Sequence, residues 1–453
     1  MSDIFKAYDV RGIVPDELNE DWARAIGAAF AEVADADQVI VGSDMRLSSG
    51  ALRAALTEGL TGAGIDVIDL GLASTDLLYF ASGKLNCPGV MITASHNPGN
   101  YNGIKFCRAG ASPVGAESGL LEVQELATNY LATSVPPRAV HGTRQERPML
   151  DEYVSHVHSF VDVAKLRGLR VVADTANGMG GLIVPPVFDG LGISLEVLYG
   201  DLDGSFPNHP ADPIQPENLV DLRAKVLSVG ADVGLAFDGD ADRVFLVDDK
   251  AAPVSGSTTT ALIARRILSR YPGQTILYNL ICSKAVPEVI TEAGGVAIRT
   301  RVGHSFIKAD MARTGAIFGG EHSGHYYFRD NYRADSGMIA ALTVLEEMAT
   351  QGSSLSEMRG SLERYSDSGE VNSKVQNTAA VLKFVENAYQ GRAEVDHLDG
   401  LTLDFGDWWF NLRPSNTEPL LRLNLEAATD DEVSRRSHEV LAVVAKADSE
   451  EVR

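Results

Sequence analysis

The chain has 453 residues, 45% hydrophobic and 22% charged, the composition of a globular protein with ample core. Lys plus Arg number 39 against 62 Asp plus Glu, so the net charge is −23, which excludes nucleic acid and anionic membrane as main partners. It also requires a locally basic cleft for any anionic substrate.

At roughly 150 residues per domain the length predicts three domains, or four smaller ones. Cys87, Cys107 and Cys282 have no metal-binding spacing and read as buried, reduced thiols of a cytoplasmic protein. The N-terminal residues lack a basic stretch followed by an apolar one, so no signal peptide is expected. No apolar run approaches the roughly 20 residues of a membrane span.

In chain order, helices are expected over 21–34 and 49–62, with strands at 38–43 and 65–70. An apolar run at 88–92 ends in Thr93-Ala94-Ser95-His96-Asn97-Pro98, a polar turn in which Asn-Pro blocks a helix. A serine hydroxyl on such a loop can carry a phosphoryl group; the plainer reading is an ordinary turn. Lys105 follows on Gly103-Ile104-Lys105-Phe106, where a proton-transfer group would be useful, although a surface lysine is the usual case. Tyr8-Asp9-Val10-Arg11-Gly12 supplies an early arginine that could equally form a surface ion pair.

A second block opens with a strand at 169–173 and the turn Asn177-Gly178-Met179-Gly180-Gly181. Its strand at 232–237 runs into Asp238-Gly239-Asp240-Ala241-Asp242-Arg243, with another strand at 243–247. Three carboxylates at alternate positions of a tight loop can converge on one hard cation, and oxygen-only ligands suit Mg²⁺. An EF-hand opens similarly but needs Gly at its sixth place, where this chain has Arg243. The remaining alternative is a solvated acidic turn, against which Arg243 speaks as a bidentate phosphate clamp.

The third block reads as helix 259–270, strand 275–279, helix 284–292, strand 296–301, then a helix-like stretch opened by Gly303-His304-Ser305. His304 is a candidate acid or base near neutral pH, or a helix residue with no role. After a strand at 316–318 comes Gly320-Glu321-His322-Ser323-Gly324-His325, which could grip sugar hydroxyls or be a simple turn. His141, His156, His158, His209 and His397 take structural or surface readings.

The tail differs. A helix at 381–389, strands at 401–405, 408–412 and 420–425, and an amphipathic helix at 430–445 describe an α+β unit. Arg413-Pro414-Ser415-Asn416-Thr417-Glu418-Pro419 combines an Arg fork, hydroxyls and an amide, a cradle for a phosphate dianion or a Pro-bounded turn. The alternation upstream predicts three α/β units with mixed or mainly parallel sheets.

These four loops, one per unit and in order, resemble the α-D-phosphohexomutase superfamily over essentially the whole chain. The resemblance implies three related α/β domains with mixed sheets and a C-terminal α+β domain around a central cleft. The expected boundaries are 1–147 with the phosphoserine loop, 148–254 with the metal loop, 255–367 with the sugar loop and 368–453 with the phosphate loop. The opening Tyr8-Asp9-Val10-Arg11-Gly12, Ala241 and Asn416 are similar to the bacterial phosphomannomutase/phosphoglucomutase branch, whereas His322 stands where dual-specificity members often carry Met.

The implied reaction interconverts hexose 6-phosphate and hexose 1-phosphate through a phosphoserine at Ser95 and a hexose 1,6-bisphosphate. That bisphosphate would also be the activator. Ser95, Asp238, Asp240 and Asp242 would hold Mg²⁺. Arg11, Arg243, His96, Lys105 and His304 would act at the transferring phosphate, with His304 and Lys105 as acid/base helpers. Tyr8, Lys284, Glu321, Ser323, His325, Arg413, Ser415, Asn416 and Thr417 would bind the sugar phosphate. Closure of the last domain would exclude water. The resemblance implies a cytoplasmic monomer or homodimer supplying mannose 1-phosphate for GDP-mannose. The alternatives are phosphoglucosamine mutase and a Mg²⁺-dependent sugar phosphatase.

Overall fold

The computed structural model describes residues 4–135, 138–414 and 420–451. Four sheets follow one another along the chain. The first runs in the order Val10–Ile13, Tyr101–Arg108, Gly89–Ile92, Gln38–Ser43, Asp66–Leu72, Arg144–Glu146, with Ser112–Pro113 paired onto Tyr101–Arg108. Its central strands are parallel, and Tyr101–Arg108 is antiparallel to both neighbours. Helices cover both faces, which explains why Val39, Ile40 and Val41 are an unbroken apolar run, each 0% exposed.

The second sheet is ordered Pro253–Val254, Val244–Asp248, Val233–Phe237, Arg170–Asp174, Ser194–Leu198, and the third Val296–Thr300, Thr275–Asn279, Phe318–Gly320, Tyr326–Phe328. Both mix parallel and antiparallel pairs. The last sheet, Ser366–Lys374, Leu420–Ala427, Trp409–Pro414, Leu401–Asp404, Glu394–Asp396, is wholly antiparallel and packs with helices Thr378–Ala388 and Asp430–Glu451. The architecture is thus three α/β units followed by an α+β unit.

Several elements differ from expectation. The helix expected at 259–270 begins at Gly256, because the Ser255 side chain accepts from Thr258 N and caps it. The strand expected at 316–318 is Phe318–Gly320, since its two glycines pair between Thr275–Asn279 and Tyr326–Phe328 instead of turning. Arg413 and Pro414 belong to the strand Trp409–Pro414, not to a loop after it. Ser366–Lys374 had no sequence signal: an edge strand reading SDSGEVNSK, with a register shift between Asp367 and Glu370, carries little apolar alternation.

The three α/β units are fused through one apolar core, which runs from Ile40 and Phe80 through Val171 and Phe237 to Ile276 and Leu342. The last unit has a core of its own, built around Val381, Trp408, Phe410 and Val440. Several polar contacts tie it to the third unit: Arg299 with Asp396, Lys284 with Asp404, and Val302 N with Asp399. A separate core meeting its neighbour through polar contacts is the construction that permits rigid-body rotation.

A buried carboxylate marks the junction of the first three units. Asp76 is 0% exposed and accepts hydrogen bonds from Ser74, Tyr153 and Ser336, one hydroxyl from each unit. Burial pushes its carboxyl up from 3.8 to about 7, against the pull of those three hydroxyls. Between these values the folded chain holds a proton that the unfolded chain has released. Stability is therefore expected to fall as pH rises through that interval, by up to about 1.4 kcal/mol per pH unit from this group. Melting temperatures of the wild type and Asp76→Asn between about pH 5 and pH 8 check this: the variant should show the shallower decline.

Candidate active site

The serine loop leaves the C-terminal end of Gly89–Ile92, beside the end of Gln38–Ser43. Ser95 is 3% exposed, and its φ of 50° lies in the left-handed region, unusual for a residue with a side chain. Its amide donates to Thr93 Oγ1 at 3.0 Å. Its hydroxyl donates to Asp238 Oδ2 at 2.5 Å, 143 residues away. His96 Nδ1 stands 3.3 Å from the same oxygen and Arg243 Nη2 3.4 Å from it.

Asp238, Asp240 and Asp242 occupy the turn between the antiparallel strands Val233–Phe237 and Val244–Asp248. Gly239 is where this loop docks on the first unit, since a Cβ there would lie 2.3 Å from the Ser95 carbonyl oxygen. Each carboxylate is 1% exposed or less. Arg243 holds Asp238 Oδ2 through Nε at 2.9 Å and Nη2 at 2.8 Å. Lys105, on Tyr101–Arg108, donates to Asp240 Oδ2 at 2.8 Å and Asp242 Oδ2 at 2.9 Å. Asp240 Oδ1 and Asp242 Oδ1 are buried and have no hydrogen-bond partner among the described residues. One oxygen of each aspartate is thus neutralised by the lysine and the other is left over.

Oxygens from the three carboxylates lie within 4.8 Å of one another, close enough to share a metal ion. The orphaned oxygens and the all-oxygen donor set fit a hard divalent cation. Burial pushes the Asp238 carboxyl up to about 7, Arg243 opposing the rise and Asp242 and Asp240 adding to it. Burial also acts to raise Asp240, but Lys105 overrides it and holds this carboxyl below its usual range.

Arg11 lies on the opposite side of the serine loop. Its Nε donates to Asp9 at 2.8 Å and its Nη1 to the Ala94 carbonyl at 3.2 Å and to Asn97. Two histidines of this region, His96 and His304, are shifted towards the uncharged form. Burial takes His96 well below the usual range, with Arg243 and Arg11 adding to the effect. Burial and Lys308 bring His304 to about 3. Lys105 is the reverse case: burial would lower it, but Asp240 and Asp242 hold it well above an ordinary lysine. In this state it is a fixed positive charge and not a base.

The Glu321 loop is the hairpin connection between Phe318–Gly320 and Tyr326–Phe328. Glu321 is 2% exposed and accepts from Tyr327 Oη at 2.6 Å and Gly303 N at 3.0 Å. Ser323 Oγ stands 3.1 Å from His325 Nδ1, which aims Nε2 towards Asp242 at 3.8 Å and Asp335 at 3.9 Å. Tyr8 packs edge-on against His304, ring centroids 5.0 Å apart. The Lys284 ammonium is bound to Asp404 Oδ1 at 2.7 Å and the Gly406 carbonyl at 3.0 Å, so here it joins two units. Arg413 lies 3.9 Å from Glu370, and its buried Nε has no hydrogen-bond partner among the described residues. Ser415, Asn416 and Thr417 lie outside the described residues.

The sequence reading missed two contributors. Thr75 donates Oγ1 to Asp240 Oδ2 at 2.6 Å and its amide to the Asp240 carbonyl at 3.1 Å. Arg46 grips the serine loop from beneath. Both follow strand ends, in Ser74-Thr75-Asp76 and Ser43-Asp44-Met45-Arg46, and a search of every such turn would have raised them.

The chain matches four family models in order: the α/β/α domains I, II and III of phosphoglucomutase/phosphomannomutase at residues 2–130, 151–251 and 255–365, and the C-terminal domain at 370–443. A phosphomannomutase of Salmonella montevideo is 41% identical over 436 residues, covering 94% of this chain and 95% of the relative. A Xanthomonas campestris protein described as phosphohexose mutases is 40% identical over 429 residues, with the same coverage of 94% and 95%. The crystal structure of a phosphoglucomutase/phosphomannomutase family protein from Burkholderia thailandensis superposes with a TM-score of 0.90 at 32% identity, covering 99% of this chain and 98% of that one.

Proposed function

The chain belongs to the phosphoglucomutase/phosphomannomutase family of phosphotransferase isomerases, and from that premise we propose that it interconverts the 6- and 1-phosphates of mannose, and of glucose with them, using Ser95 as phosphoryl carrier. The observation that carries this reading is the Ser95 hydroxyl, held 2.5 Å from Asp238 beside two aspartates with orphaned oxygens. The four units proposed for the work are 1–147, 148–254, 255–367 and 368–453, a division supported by the spans of the first three sheets; the fourth sheet begins two residues before the last boundary, at Ser366.

Three carboxylates in contact with two cations, Lys105 and Arg243, leave the cluster negative. A phosphoserine adds close to two further negative charges and removes the proton that Ser95 gives Asp238. Such a state needs a divalent cation. Asp238, Asp240 and Asp242 would hold Mg²⁺ together with the Ser95 phosphate, and bound there it would offset charge on the phosphoryl group in transit.

Transfer breaks the Ser95 Oγ–P bond and forms a P–O bond to the free hydroxyl of the sugar phosphate, giving a hexose 1,6-bisphosphate. The hydroxyl's proton leaves to a base, and we assign this to His304, which packs on Tyr8: the charge of a phosphate beside it raises its basicity from the value of about 3 set here by burial and Lys308. That proton returns to Ser95 Oγ as it departs; Oγ then takes the other phosphate from the reoriented sugar, the sugar O–P bond breaking and the serine's proton passing to the sugar oxygen that leaves. Arg243 and Arg11 would flank the moving group, Glu321, Ser323 and His325 would bind the ring, and Arg413 would bind the distal phosphate, a role the sequence alone also gives Ser415, Asn416 and Thr417. Lys284 would exchange Asp404 for substrate as the last unit moves. Three free buried cysteines support a reducing, cytoplasmic location, and among the described residues no helix is long and apolar enough to cross a membrane.

The test is turnover of mannose, glucose and glucosamine 1-phosphates with Mg²⁺ and hexose 1,6-bisphosphate, alongside the intact mass of the protein. We expect mannose 1-phosphate to lead, total sugar phosphate to be conserved, and one phosphate to appear on Ser95. Preference for the glucosamine substrate would reassign the specificity, and stoichiometric release of free phosphate would make the protein a phosphatase.

A further inference from the structure

The serine loop must present the same oxygen in two chemical states, hydroxyl and phosphate ester. In the first state the Ser95–Asp238 hydrogen bond fixes the side chain. In the second that bond is gone, because Oγ carries phosphorus instead of a proton. Whatever holds the loop through both states must act on its backbone.

Arg46 does so. It lies just past the end of Gln38–Ser43, the parallel neighbour of Gly89–Ile92, so it emerges under the serine loop. Its Nη1 donates to the carbonyls of Pro98 at 2.7 Å and Tyr101 at 3.0 Å. Its Nη2 donates to the carbonyls of Ser95 at 2.7 Å and Asn97 at 2.6 Å. Four carbonyls from the segment 95–101 thus converge on one planar guanidinium. Nε faces Asp44 Oδ2 at 3.2 Å, and both side chains are fully buried. Asp44 is itself held by Ser49 Oγ at 2.5 Å and by the Arg46 amide at 3.0 Å. From the second unit Phe206 covers the guanidinium, its ring centroid 5.1 Å from Cζ.

We infer that Arg46 is a positioning residue for phosphoryl transfer: by clamping the Ser95, Asn97, Pro98 and Tyr101 carbonyls it keeps Ser95 in its left-handed conformation whether or not the serine is phosphorylated. The inference rests on the reading of Ser95 as phosphoryl carrier. None of the four bonds involves the Ser95 side chain, so none is lost on phosphorylation. The Ser95 carbonyl is pinned between Arg46 and Gly239, which fixes the direction of Oγ towards Asp238. A lysine would keep the charge, but its three tetrahedral donors cannot span two pairs of carbonyls in one plane.

The test compares Arg46→Lys with wild type in the full chain, with Mg²⁺ and hexose 1,6-bisphosphate present. We expect kcat to fall about 100-fold, the scale of a loss caused by misplacing a reacting group by about 1 Å. KM for the sugar phosphate should stay within about threefold, and phosphorylation of Ser95 by the bisphosphate, followed by intact mass, should slow by the same factor as kcat. A purely structural role would instead lower the active fraction, leaving kcat per folded molecule and the phosphorylation rate unchanged, and that result would overturn the inference. Should Arg46→Lys fail to fold, Asp44→Asn decides: it loosens the clamp through Nε, so a wild-type rate would overturn the inference and a selective fall in kcat would support it. Wild-type protein that interconverts hexose phosphates yet never carries phosphate on Ser95 would overturn the carrier reading itself, a result separable from any behaviour of Arg46.

Discussion

Ser95→Ala is expected to lower mutase turnover by at least about 10⁴-fold, the order seen when a covalent nucleophile is removed from a group-transfer site. The substitution deletes the one oxygen that Asp238, Arg243 and His96 converge on. Little else depends on it. The loop's backbone is held by Arg46, and alanine meets the left-handed φ at a cost close to that of serine. The fold should therefore survive, with a melting temperature within a few degrees of wild type. The check is a coupled assay with bisphosphate and Mg²⁺ together with thermal denaturation of the same samples. A variant retaining more than about 1% of the rate would show that phosphate travels by a route avoiding this serine.

Asp240→Asn should have the next largest effect, on metal affinity as well as rate. Asp240 has Oδ2 committed to Lys105 and Thr75, and Oδ1 buried without a partner. The orphaned atom is the observation that singles this residue out as a ligand. Losing its charge should weaken Mg²⁺ binding by more than about 100-fold, beyond the 10–100-fold loss usual for residues that merely support a ligand. Mg²⁺ titrated by calorimetry measures this directly. Wild type should also melt at higher temperature with Mg²⁺ than with a chelator, because a ligand that binds only the folded state stabilises it, while the variant should show little difference. Equal stabilisation of both proteins would remove Asp240 from the ligand set.

How the loops meet was partly legible in the residues themselves. Ser95 after an apolar strand, the alternating aspartates and the glycine-bounded Glu321 loop all sit at strand ends, where α/β folds place their sites. The partners they find there were not legible. Lys105 lies ten residues past Ser95 and reads as its helper, yet its ammonium belongs to Asp240 and Asp242. Lys284 reads as a cleft lysine and is bound to Asp404 of the last unit. Thr75 and Arg46 carry no signature, because a threonine after a strand and a basic residue in a turn are common in any protein. Their roles arise from contacts spanning 165 residues for Thr75 and 49 for Arg46.

The same division holds for charge. Local residues alone settle which donor types each loop offers, since a hard all-oxygen set with Arg243 beside it can be read from one short segment. They also settle the alternation of strands and helices, because hydrophobic periodicity is a local property. Only the tertiary contacts set how far these groups depart from their ordinary values: burial lowers His304 and His96, while two buried carboxylates raise Lys105. The energy of a charge depends on how much water is removed from it and on which opposite charge replaces that water, and both are set by residues far away along the chain.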